Sequence, residues 1–488
     1  MLASLAACAP DAGDEVKVAL EAEPARAAEP AGTVLPALNA LRGATPDIID
    51  VRRSLAVTDQ VILARFPLQR VLARLARDAR VRGVDATELF SQWWDTQNPR
   101  TRADGEPHCD DEVDATGKPL LNGYPYDCRA APSEGVQAGC RSLSDPACAY
   151  IPIGLFNRFD LAPEDGAHCG EHRILYAKTA GQLDRRDRNL VIFEATIPNP
   201  TPWHGLQGCR RLIEAWAELS WIDSVERRAD RLERMYFDGV GFFPPVVSFA
   251  HFGNNDRDLG QVRTNQFITP GLPPVWTLRE FKLYRECRGR GCRALFVPAP
   301  AKNNPLGVLF GDPVPEPRAR GFQDYLLREN VKRLAATSAP DLAMFTPDAF
   351  NSGQSHSSFS AEMDYATPFA TQRNGLRRRI WQVLGTLGSD ITPEQLVERA
   401  RTQTCAGCHQ LSNSIDLGGG LIWPPSLGFV HVSEMEPEQG PDGLRFRISP
   451  LLVSSFLPAR ARIMFDFLQQ RPVRRRGFGW SLGGRVVH

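Results

Sequence analysis

The chain alternates between two hydrophobic rhythms. From Ile62 to Val81, ILARFPLQRVLARLARDARV, apolar residues recur at helical spacing. DATELFSQWW, from Asp85, opens a second helix with an Asp cap. Between about 101 and 150 the pattern breaks into Gly, Pro, Asp and Cys. Strand-like runs follow: RILYAK, LVIFEATI, PVVSFAHF, VRTNQFI, WTLREFKLY and ALFVPA. One long helical stretch, LQGCRRLIEAWAELSWIDSVERRADRLERM, interrupts them, and FQDYLLRENVKRLAA follows as a further helix. Strands in runs with helices between and after them predict an α+β fold.

The last third changes character. ITPEQLVERARTQTCAGCHQ places Thr392 as N-cap, Pro393 at the first helical position and Gln395 as the partner in a capping box. SPLLVSSFLPARARIMFDFLQQ predicts a later helix, with Pro458 at its start or at a kink. The expected division is 1–45 as a tether, 46–370 as a large mixed domain, 371–470 as a small mainly helical domain and 471–488 as a basic tail.

Lys+Arg and Asp+Glu both number 57, so the chain carries no net charge that would favour nucleic acid or another polyanion. No apolar run is long enough to span a bilayer. LAAC, Leu5 to Cys8, resembles the lipobox of bacterial lipoproteins, in which the cysteine is lipidated. No charged and apolar leader precedes it here, so the expected true start lies upstream. The Ala-, Pro- and Glu-rich stretch that follows has no core pattern and reads as a disordered tether.

CAGCH, Cys405 to His409, has the spacing of a covalent haem attachment. Two thiols must reach the vinyl groups on one porphyrin edge, and the next histidine must turn beneath the ring to the iron. A CxxC disulfide, redox pair or zinc loop is the plainer alternative. A thioredoxin-like site wants the motif at a helix start, whereas this one follows a helix. A zinc site wants a second pair at good spacing, and none is present.

The motif at a helix end, with a packing helix after it, resembles the small class I c-type cytochrome domain. That resemblance implies one covalent haem c, thioethers at Cys405 and Cys408, and His409 as proximal ligand. For the sixth position the downstream candidates are His431, in a strand-like run, and Met435, in a polar loop among glutamates; His431 is preferred. Met464 reads as core. Leu417–Pro425, LGGGLIWPP, brings either backbone and Trp423 close to a flat ring or a bend with a core tryptophan.

Setting aside Cys8, Cys405 and Cys408 leaves eight of the eleven cysteines, an even remainder that fits disulfides in an oxidising compartment. Cys287 and Cys292 flank a flexible RGRG loop that one bridge would close; the other pairings stay open. Three further strings carry little. HCGEH, His168 to His172, matches an inverted zinc-protease pattern but holds a central glycine and runs into a strand. NNDRDLG misplaces the glycine of a calcium loop and lacks its glutamate. GQSHS lacks the last glycine of a nucleophile elbow.

Two functions follow. The first is an exported, lipid-anchored haem protein of the periplasm or cell surface, passing electrons to a redox partner protein or acting as a haem-dependent oxidoreductase. The alternative is a non-haem, disulfide-stapled envelope lipoprotein that binds or scaffolds.

Overall fold

The computed structural model describes residues 44–94, 108–128, 143, 145, 148–255, 257–267, 275–289, 291–313, 316–357, 361–371 and 373–470. Cys8, nearly all of the tether and the basic tail lie outside these residues.

The strands are β1 (Ala56–Val57), β2 (Leu120–Leu121), β3 (Tyr124–Pro125), β4 (Tyr150–Arg158), β5 (His168–Lys178), β6 (Asn189–Pro198), β7 (Gln261–Phe267), β8 (Trp276–Arg288), β9 (Gly291–Ala299), β10 (Gln354–His356), β11 (Val432–Gly440) and β12 (Gly443–Ile448). Eight of them form one antiparallel sheet in the order β1-β4-β5-β6-β7-β8-β10, with β9 also on β8. β9 pairs with Glu280–Arg288 of β8 and β10 with Thr277–Arg279, so two short partners share one edge. The helices that matter here are α1 (Leu68–Ala79), α2 (Ala86–Trp94), α3 (Arg210–Ala217), α4 (Val225–Phe237), α5 (Ala319–Tyr325), α6 (Gly375–Leu387), α7 (Pro393–Thr402) and α8 (Leu457–Gln469). The fold is mixed α+β, as the rhythms predict.

The register sorts the sheet into two chemically different faces. Arg173 pairs with Glu194, Glu194 with Gln261, and Arg263 with Glu280. Since side chains alternate along each strand, these residues share one face with Glu171, Asn265, Leu278 and Ser355. The opposite face carries Ile174, Tyr176, Phe193 and Val262, all buried. α1 buries Leu68, Val71, Leu72, Leu75 and Ala79, the i, i+3, i+4, i+7 spacing of one apolar stripe. Phe66, just before α1, meets Tyr236 of α4 edge-on at 5.4 Å, and Trp216 of α3 stacks near His172 at 5.8 Å. Helices therefore cover the apolar face, while the charged face looks towards the C-terminal third.

Cys287 and Cys292 are bonded across the β8–β9 turn, as their spacing predicts. Cys109–Cys128 and Cys169–Cys209 are also bridged, and Cys148 is disulfide-bonded.

Several local expectations need correction. PVVSFAHF is not a strand: Val246 and Val247 donate to Met235 and Tyr236 at the end of α4, and a 3-10 turn spans Phe249–His251. Pro244 and Pro245 lack the N–H groups that a ladder would need. The long helical stretch breaks at Ile222–Ser224, where Ser224 caps α4 by accepting from Arg227 N–H. HCGEH lies wholly in β5 rather than just before a strand, with His172 buried against Trp216. Met435 is in β11, half-buried, rather than in a polar loop; a register shift between Ser433 and Pro437 makes that stretch irregular.

Candidate functional site

α7 begins as its sequence dictates. Thr392 Oγ1 accepts from Gln395 N–H at 3.1 Å, and Gln395 Oε1 accepts from Thr392 N–H at 2.9 Å. Its C-terminal end runs into the CAGCH turn, Gly407–Leu411 continuing as a π turn. Both spacer residues are constrained. Ala406 is fully buried and donates its N–H to Ser355 Oγ at 2.9 Å. A Cβ at Gly407 would lie 1.8 Å from the Arg401 carbonyl oxygen, so glycine alone fits there.

Among the described cysteines, Cys405 and Cys408 are free thiols and the others are bridged. His409 and His431 bring their rings to 4.4 Å between centroids, inclined by 52°. His409 Nδ1 lies 2.8 Å from the Phe429 carbonyl oxygen. A carbonyl only accepts, so Nδ1 carries the proton and Nε2 is left with its lone pair. His431 Nε2 lies 3.4 Å from Cys408 Sγ, and its Nδ1 lies 3.0 Å from Ser449 Oγ. Burial raises the Cys408 pKa to about 12, so the sulfur is a thiol, able to donate to Nε2 or to accept from it. Nδ1 of His431 faces the Ser449 hydroxyl, which can accept from it or donate to it, so the carbonyl contact fixes the tautomer of His409 alone.

Phe429, which supplies the carbonyl, has φ of +71°, unusual for a residue with a side chain. Its ring is held against Trp276 at 5.8 Å. Such a conformation persists where the surroundings over-determine it, commonly at functional sites.

The cluster sits against the charged sheet face. Asn265 Nδ2 is 3.5 Å from His409 Nδ1. Arg173 binds Glu171 at 2.5 Å and Glu194 at 3.0 Å, while Arg263 bridges Glu194 at 3.2 Å and Glu280 at 3.1 Å. Gln261 donates to Glu194 and Glu171 and accepts from Lys302. Against the opposing effect of burial, Arg173, Lys302, Arg263 and Arg158 hold Glu171 well below the usual carboxylate range. Burial raises the Cys405 thiol, opposed by Arg263 and reinforced by Glu280 and Glu194. Burial lowers His409 to about 4 and takes His431 well below its ordinary value, helped there by His409, Arg460, Arg158 and Arg173. Both imidazoles are neutral at pH 7.

The structure thus brings Cys405, Cys408, His409 and His431 together. Met435 is further along β11, and Met464 is fully buried in α8. Trp423 is buried in a small cluster against which Cys408 packs, so LGGGLIWPP is a bend beside the motif. Among the described residues, no three His, Cys, Asp or Glu side chains are arranged to hold a bare metal ion. What strand patterning alone misses is the charged face: Glu171/Arg173 and Gln261/Arg263/Asn265, at i, i+2 spacing, read as a solvated side. The signal was their mutual neutralisation in the cross-strand register, visible only once the strands are paired. The chain matches no family model, no curated protein and no solved structure.

Proposed function

We propose that this is an exported c-type haem protein, and that it transfers electrons to a redox partner protein. Cys405 and Cys408 would carry one haem c through thioethers, with His409 and His431 as the residues that would hold its iron; their rings, 4.4 Å apart between centroids, would have to separate to admit it. The observation that carries the reading is the meeting of His409 and His431 beside the two thiols, with the Phe429 carbonyl holding the proton on His409 Nδ1 and leaving its Nε2 lone pair for ligation.

The residues fit the group in two further respects. The two thiols are unpaired while other cysteines are bridged, which argues against a simple CxxC disulfide. The four side chains are half-buried, yet burial is the largest cause of every one of their shifted pKa values. Thiols and imidazoles that are strongly desolvated suit attachment to a group that is itself largely buried. Of the cytochrome arrangement, α7 ending in the motif supports the resemblance, whereas α8 packs against α3 and Phe159 of the N-terminal part. A bound haem would supply one-electron exchange, with axial ligands and burial setting its potential. The bridged cysteines support an oxidising compartment, periplasm or cell surface, with lipid on Cys8 as the anchor.

Expressed in a host with haem-attachment machinery, the protein should show an intact mass greater than the unmodified chain by one haem. Replacing both Cys405 and Cys408 with Ala should remove that increment. An unmodified mass with the two cysteines disulfide-linked would overturn the haem assignment.

A further inference from the structure

Three arginines meet at one hollow on the helix-covered side of the sheet. Arg77 lies in the last turn of α1, and Arg80 ends that helix. Arg285 comes from β8, two residues before the Cys287–Cys292 bridge. It stands an odd number of positions from Glu280, so it shares the face of Phe281 and Val262 and points away from the CAGCH turn. Together with Ser248, Phe249 and Asn254, these arginines line a cavity of about 340 Å³.

The walls are held in place by the fold. Arg285 N–H donates to Asn254 Oδ1 at 3.2 Å and Leu283 N–H to the Phe252 carbonyl at 2.8 Å, which fixes the Phe249–His251 turn against β8. Arg285 Nη1 reaches the Ala79 carbonyl at 3.4 Å and joins the end of α1 to the same strand. Arg80 takes a φ of +54° where glycine is the usual helix-ending residue. The chemistry of the hollow is one-sided. Arg77 and Arg80 form no ion pair or side-chain hydrogen bond among the described residues, and neither do Asn254 Nδ2 and the Ser248 hydroxyl. The single carboxylate on the wall, Asp78, is held by Arg74 Nε at 3.2 Å. An exposed arginine without an ion pair is ordinary, as Arg378 on α6 is. Three around one cavity, against one carboxylate already engaged, leave a local surplus of positive charge that an anion would neutralise.

We propose that this cavity binds the phosphoryl group of a small phosphate ester. A phosphoryl group carries about −1.5 to −2 charge near pH 7, which matches the surplus, and offers three terminal oxygens to three guanidinium forks. A carboxylate offers only two oxygens and half that charge. The cavity is larger than inorganic phosphate alone would fill, and Phe249 gives the organic part of the ester an apolar wall. The site lies on the other side of the sheet from Cys405 and Cys408 and does not depend on haem.

The full chain is titrated calorimetrically with glycerol 3-phosphate, inorganic phosphate and succinate, with ionic strength held constant by chloride. Wild type should bind glycerol 3-phosphate saturably and at least as tightly as phosphate, and should bind succinate about tenfold more weakly or less. Arg285→Met and Arg77→Met should each weaken glycerol 3-phosphate binding about tenfold or more. Arg77→Lys, which keeps the charge and loses the fork, should lose less than Arg77→Met. Arg378→Met removes the same charge far along the chain on exposed α6 and should bind as wild type does. Circular dichroism of each variant separates loss of binding from loss of fold. The proposal is overturned by absence of saturable glycerol 3-phosphate binding in wild type, by equally tight binding of succinate, or by an equal loss in Arg378→Met.

Discussion

At the scale of single residues, the site turns on which nitrogen of each histidine is occupied. The Phe429 carbonyl fixes the proton on Nδ1 of His409, while His431 lies between Ser449 Oγ and Cys408 Sγ. Met435 has no comparable preparation: its backbone N–H contacts Ser433 Oγ within the irregular part of β11. If His431 is the sixth ligand, the loaded protein is low-spin in both oxidation states. His431→Ala should then become high-spin and bind carbon monoxide rapidly, whereas Met435→Ala should keep the wild-type spectrum. The reverse pattern would transfer the ligand role to Met435. The motif itself was legible in the sequence because five adjacent residues carry its chemistry. Ser449 and the Phe429 carbonyl were not, since neither lies near the motif in the chain and one acts through backbone alone.

At the scale of elements, α7 is the arm that presents the motif, and it is clamped along its length. Arg399, fully buried, donates from Nε to the Leu417 carbonyl at 2.8 Å, from Nη2 to Gly418 at 3.0 Å, and from Nη1 to Leu334 and Ala336. It thereby ties α7 to the LGGGLIWPP bend and to the turn that follows the α5 segment. Gly418, at φ of +74°, lies so close to Gln395 that a Cβ would meet its side chain at 2.3 Å. The capping box was readable from Thr392, Pro393 and Gln395 because caps are local. The Arg399 clamp was not, because an arginine on a helix reads as solvated until the chain brings carbonyls to it. Arg399→Met strands three buried carbonyls and the half-buried one of Ala336, and should cost at least about 3 kcal/mol. Thr392→Ala, which loses only a cap, should cost about 1 kcal/mol. Urea titrations of both variants, with haem yield alongside, check the order; equal costs would mean that the clamp contributes little.

At the scale of the whole molecule, the sequence places a boundary near residue 370, but the hydrophobic cores run across it. One core joins Leu55, Val57, Phe159 and Ile174 to Val432, Phe446, Met464 and Phe467, with Phe159 and Phe467 rings 4.7 Å apart. A second joins Phe310, Phe322 and Tyr365 to Leu376, Leu396, Val397 and Ala406. Polar ties follow the same route: Arg188 holds the buried Glu434 at 2.6 Å, and Arg228 holds Asp442. Composition and helical rhythm change at the boundary, which is why it reads as a division. Neither reports which surfaces those helices cover. A fragment of 371–470 would expose Val397, Ala406, Phe446 and Phe467 together, and would leave Glu434 without its arginine. That loss of burial exceeds what so short a chain can offset from its own contacts. The fragment should therefore lack near-ultraviolet circular dichroism and acquire no haem in a host that loads the full chain, while 44–470 should do both. A fragment that folds alone and takes up haem would instead establish 371–470 as an autonomous unit, and would show that the shared cores are a docking surface between two domains.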